Sequence, residues 1–169
     1  MIVSRPHAAK VSSGMRHALV LHDVTFVDVW EAMMVIEPEV AALAAQRRTQ
    51  ADVALLIQTS EAFRLSPEGD PDAVNIVGLF FEHLGAASRN QVLVLAKQSL
   101  TDALAPSLAR VIDTVPQARQ RIADAQRRII TAVREKNAEE ARKWMSKHVR
   151  DYQRGYELAG ISPDTPISV

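Results

Sequence analysis

Apolar residues recur along this chain with the spacing of helices and nowhere with a useful length of strand-like alternation. Phe26, Val29, Trp30, Met33, Ile36, Val40 and Leu43 mark the face of a first helix. Thr25 stands at its start with Asp28 three residues on, a pair able to satisfy each other's free backbone N–H groups. Pro38 falls inside the pattern and is expected to kink the helix or remove one of its hydrogen bonds. The stretch TQADVALLIQTSEAFRL repeats the start signal with Thr49 and Asp52 and predicts a second helix. SPEGDPD is a turn cluster, in which Asp70-Pro71 reads as the cap and first-turn proline of a third helix over residues 72–87. That helix is apolar on most sides, as expected of one packed in the middle of a bundle. Ser88-Arg89-Asn90 breaks it. A fourth helix is expected over residues 90–104, interrupted by Pro106, with a short helix over residues 107–113 beyond it. Thr114-Val115-Pro116 then opens a long helix to about residue 136. Asn137, with Glu140 three residues on, caps a last helix that Gly160 and Pro163 end. The sum is an all-α fold, an antiparallel bundle of about six or seven helices.

Two of the apolar stripes carry a polar residue. On the last helix Ala141, Trp144, Met145, His148 and Tyr152 share a face; on the fifth, Ile122, Gln126, Ile129, Ile130 and Val133 do. The third helix shows Val74, Val77, Phe81 and Leu84 with no polar member, and its His83 points elsewhere. A buried polar group left unpaired costs about 1–3 kcal/mol. Gln126 and His148 are therefore expected to meet each other, a water or a ligand. For His148 three roles stand open: a core histidine with a satisfied hydrogen bond, a ligand contact, or a metal ligand.

Composition narrows the function classes. The 169 residues suffice for one domain with a sizeable core. Twenty basic and twenty acidic side chains give a formal charge of zero, unlike a dedicated nucleic-acid-binding surface. There is no cysteine, so disulfides, thiolate metal sites and cysteine nucleophiles are excluded. No Gly-rich phosphate loop, Gly-x-Ser-x-Gly or inward carboxylate–histidine set points to an enzyme. His22-Asp23 and Glu82-His83 diverge and read as solvated, as do the runs Arg47-Arg48, Arg127-Arg128 and Arg134-Glu135-Lys136. No signal peptide or membrane span is visible, and the expectation is a cytoplasmic protein.

Three stretches in order, WEAMMVIEPEVAALAAQRRTQADV, FFEHLGAASRN and RRIITAVREKNAEEARKWMSKHV, carry a family resemblance. They resemble the patterns Glu-Ala-Arg, three residues, Glu-Pro; Phe-His through Ser-Gly-Asn; and Glu-His through a final His. These belong to the all-helical FCD effector domain of FadR-type regulators in the GntR superfamily. The resemblance spans residues 18–155 and implies an effector-binding domain over residues 18–160, preceded by a wing tail and linker over 1–17 and followed by a tail over 161–169. Many members hold a metal with one Asp and three His. Those positions fall here on Val77, Phe81, Gln126 and His148, and only His148 keeps a ligand. The Arg of Glu-Ala-Arg, which often grips an effector carboxylate, is Met33.

The resemblance, with these departures, implies no metal and no cofactor. It implies a mostly apolar pocket lined by Met33, Met34, Val77, Phe81, Gln126, Trp144, Met145 and His148, suited to a hydrophobic small-molecule effector with one or two polar atoms. The alternative is a core that Phe81 and Met33 have closed, leaving a structural dimerisation module with no effector. VSRP resembles the exit of the family's winged helix, so the DNA reader is expected to be absent from this chain. Operator DNA would then be met only through that module, whether the chain is an excised domain or a natural short protein. A homodimer is implied, with surplus apolar positions Ile76, Leu79, Val92 and Leu95 as its bottom-up support.

Overall fold

The computed structural model describes residues 14, 17–19 and 21–167. The linker reading of residues 1–17 lies almost wholly outside the described residues. Six helices follow one another: α1 (Phe26–Arg47), α2 (Gln50–Leu65), α3 (Ala73–Ala87), α4 (Gln91–Thr114), α5 (Ala118–Arg134) and α6 (Ala138–Leu158). Helical backbone at residues 17–19 and 21 precedes α1. Among the described residues there is no strand, only an isolated antiparallel bridge between Thr25 and Pro166. No helix among them is long and apolar enough to cross a membrane.

α1 is the axis of the bundle. It packs along α6 and also touches α3, α4 and α5. Its second half is alanine-rich, and Ala41, Ala42, Ala44 and Ala45 are all buried, so neighbouring backbones can approach from several sides. α2 packs instead on α3 and α5. The ends of the helices follow local chemistry. Thr25 and Asp28 form the reciprocal capping box, as do Thr49 and Asp52. Asn90 Oδ1 accepts from Leu93 N, and Asn137 Oδ1 accepts from Glu140 N at 3.1 Å. The Glu140 carboxylate accepts from Lys143 rather than reaching back to the cap. Gly160 at φ +73° lets Ile161 N donate to Tyr156 O and closes α6. Lys136 at φ 57° does the same for α5, with Asn137 N donating to Ala132 O.

Several local readings are corrected. Pro106 does not end a helix: α4 is continuous from Gln91 to Thr114, and no separate helix covers 107–113. Pro106 is exposed, while Ala103, Leu104, Leu108, Val111 and Ile112 are buried on the other side. That burial offsets the roughly 3 kcal/mol that an interior proline costs. α1 likewise runs through the buried Pro38. Asp70 is not the cap of α3; its carboxylate accepts from Asp72 N in the turn, and Asp72 holds the cap position, its carboxylate accepting from the Asn75 side chain rather than from a backbone N–H. Thr114 belongs to α4 and Val115 caps it, so α5 begins beyond a left-handed Gln117 at φ 64°.

Arg47 and Arg48 are not simply solvated. Arg47 donates to Ser88 O at the end of α3, and Arg48 donates to Val133 O and Arg134 O at the end of α5. Each guanidinium thus satisfies carbonyls that a helix terminus leaves free. His83 is half-buried rather than solvated, its Nδ1 2.9 Å from Thr59 Oγ1. Residues 161–167, set apart as a tail by the sequence, turn back onto the start of α1. Val27 N donates to Pro163 O, Phe26 N to Thr165 O and Ile167 N to Val24 O, while Ile161 and Ile167 are buried.

Candidate functional site

α1, α3, α4 and α6 line a cavity of about 350 Å³ that opens to solvent on one side. Val77 and Phe81 of α3 and Met33 of α1 line it, with Leu104 and Leu108 of α4 opposite. Gly78 contributes space, since a Cβ there would meet nothing within 4 Å. Tyr152 and Tyr156 of α6 complete the lining. Tyr156 is fixed by donating its hydroxyl to Leu104 O at 2.9 Å and by the edge of Trp30, 5.2 Å between ring centroids. Tyr152 has a buried hydroxyl with no hydrogen-bond partner. Polar residues gather on the α3 and α4 side of the lining: Asn75, Glu82, Gln98, Thr101 and Asp102.

Beside the cavity lies a buried ion pair that the sequence reading missed. Lys97 Nζ of α4 donates to Glu37 Oε1 of α1 at 2.9 Å, with the side chains 3% and 1% exposed. The ammonium also stands over Phe81, 5.1 Å from the ring centroid. Gly85 leaves room for the lysine stem: a Cβ there would sit 3.3 Å from Lys97 Cε. Glu37 Oε2 has no partner. The Tyr152 hydroxyl is held well above its ordinary value, by burial first and then by Tyr156 and the negative Glu37. A signal for this pair was present. Glu37 follows Trp30 and Met33 on the α1 stripe, and Lys97 shares a face with Leu93, Leu100 and Leu104.

His148 is buried in a ring stack. Its imidazole lies parallel to Phe81, 5.8 Å between centroids and 4° between planes, with Tyr152 at 4.6 Å on α6. His148 and Gln126 do not meet: His148 Nε2 and both amide atoms of Gln126 lack hydrogen-bond partners. Burial lowers the imidazole's pKa to about 4, with Asp151 acting weakly the other way. The space against His148 on the α4–α5 side is only about 30 Å³, enough for about one water and too small for an organic effector.

The eight residues proposed as one lining are thus divided. Met33, Val77 and Phe81 border the cavity between α1, α3, α4 and α6. Gln126, Met145 and His148 are buried but do not border it. Met34 and Trp144 are half-buried at the edge of the core, Trp144 beneath Arg128 and Lys147. The four positions at which the resemblance implies a metal do not fit one. They offer one imidazole and one neutral amide, where a divalent ion takes three or more protein ligands. Among the described residues no group of three or more His, Asp or Glu could hold an ion.

Comparison with known proteins gives a consistent outcome. A family model described as the FCD domain matches residues 28–151. The Glc operon transcriptional activator of Escherichia coli K12 is 28% identical over 156 residues, covering 88% of this chain and 61% of that protein. The protein of the same name from Escherichia coli O6:H1 matches equally. The chain therefore spans about three fifths of the length of these curated relatives. Among solved structures, Streptococcus agalactiae GntR superposes with a TM-score of 0.66 at 25% identity, covering 76% of this chain and 58% of that one.

Proposed function

The chain belongs to the FCD domain family of GntR-type transcription regulators, not to an enzyme family, and from that premise we propose that it senses an apolar small molecule without a metal. The observation carrying this reading is the cavity of about 350 Å³ between α1, α3, α4 and α6, with apolar and aromatic walls. It is displaced from the lining first expected, toward α4. Loss of the family's metal grip is supported by Val77, Phe81 and Gln126 at the ligand positions, which leave one imidazole where a divalent ion takes three or more ligands. In the full regulator this domain would act through a winged helix on operator DNA, as a homodimer. Leu79 and Val92, 43% and 75% exposed, support a self-association face. Sedimentation as a monomer at micromolar concentration would remove the dimer.

A second reading, a structural dimerisation module with a filled core, is favoured only at His148, where the ring stack leaves about 30 Å³. Thermal unfolding separates the two. Uncharged apolar compounds such as 4-phenylbutanol and decanol are expected to raise the melting temperature by roughly 5–10 °C at a hundredfold excess over Kd. Citrate, lactate, Zn²⁺ and EDTA are expected to leave it unchanged. Stabilisation by those anions or by zinc, with no response to the apolar set, would overturn the sensing proposal.

A further inference from the structure

Resting on the cavity reading above, we infer that the effector is an apolar molecule bearing a positive charge, a hydrophobic amine or quaternary ammonium. No lysine, arginine or histidine lines the cavity, whereas Glu82 of α3 and Asp102 of α4 both do. Neither carboxylate has an ion-pair partner among the described residues; Asp102 accepts only a neutral bond, from Gln98 Nε2 at 3.0 Å. The nearby cation that could offset them is already committed, Lys97 being tied to Glu37 at 2.9 Å.

A second, independent observation comes from the buried wall. Tyr152 is 6% exposed and lines the cavity, and its hydroxyl has no partner. Together with Tyr156 it adds aromatic area that takes an apolar body, the Phe81 ring being already covered by Lys97 and His148. Every charged group on the lining is thus an anion. An effector carboxylate would enter against two like charges with no compensating donor of positive charge, and an ammonium would meet both.

The test compares three molecules of one skeleton at pH 7 by calorimetry on the whole chain: 4-phenylbutylamine, 4-phenylbutanol and 4-phenylbutanoate. The amine is expected to bind about tenfold tighter than the alcohol, and the carboxylate weakest. The double variant Glu82→Gln/Asp102→Asn, at solvent-accessible positions, is expected to remove the amine's advantage over the alcohol. Added salt should weaken the amine alone. Equal affinity of amine and alcohol would overturn charge selection and leave the cavity reading standing. Tightest binding by the carboxylate would overturn it likewise. Binding of none of the three, with no apolar compound stabilising the fold, would remove both.

Discussion

Lowering the pH from 7 to 4 is expected to remove roughly 3 kcal/mol of folding stability through His148 alone, because burial takes its pKa from 6.5 in the unfolded chain to about 4 in the fold. Above 6.5 the imidazole is neutral in both states and contributes no pH dependence. Between 6.5 and about 4 the unfolded chain takes up a proton that the folded chain refuses, so acid favours unfolding. The charged form finds no compensation in its stack: Phe81 is parallel to it, Nε2 has no partner, and the nearby Asp151 is paired with Arg121 at 2.6 Å. Urea unfolding of the wild type and of His148→Leu across this range isolates the effect. The stability difference between the two should shift by roughly 3 kcal/mol in the variant's favour between pH 7 and pH 4. Carboxylates held low by their partners, such as Glu39 beside Arg142 and Asp52 in its cap, lose stability at lower pH in both proteins and cancel in the comparison. Parallel curves would show that His148 takes a proton without unfolding the bundle.

The second large effect is asymmetric. Lys97→Met is expected to cost about 3–5 kcal/mol, because it leaves the Glu37 carboxylate buried and uncompensated. Glu37→Leu should cost a similar amount by stranding the ammonium. The double variant Glu37→Leu/Lys97→Met should recover most of the loss, within about 1 kcal/mol of the wild type or above it. The reason lies in the balance of terms at this pair. Two charges are desolvated, one strong bond and one contact with Phe81 repay part of that, and Glu37 Oε2 stays unpartnered. A double-mutant cycle by denaturant unfolding measures the coupling; additive single losses would mean the two groups do not depend on each other.

What was legible in the sequence is what short range decides. Thr25 with Asp28, Thr49 with Asp52, Asn90, Asn137 and Gly160 act on backbone groups within a turn of themselves, and each terminates its helix as its chemistry requires. The stripes on α5 and α6 likewise identified Gln126 and His148 as buried, since helical periodicity sets which way a side chain points. The ordered motifs further marked the family. Pro106 shows where local rules stop: a proline forbids one hydrogen bond, but the apolar face on both sides of it is worth more than that bond.

The site was decided across the bundle. Met33, Val77 and Phe81 came from motifs on α1 and α3, yet the wall formed by Leu104, Leu108 and Asp102 of α4 carried no motif at all. Met34 and Trp144 share the periodicity of core residues but fall at its edge, because periodicity gives a direction and not the depth of what covers it. Glu37 and Lys97 are 60 residues apart, and each alone reads as an anomaly on an apolar stripe. Local sequence thus determined the helices and their inward faces; only the packing of α1 against α4 determined that two opposite charges meet beside Phe81 and that the open space lies next to them. The physical reason is that burial and ion pairing are properties of neighbours in space, which the chain order does not specify.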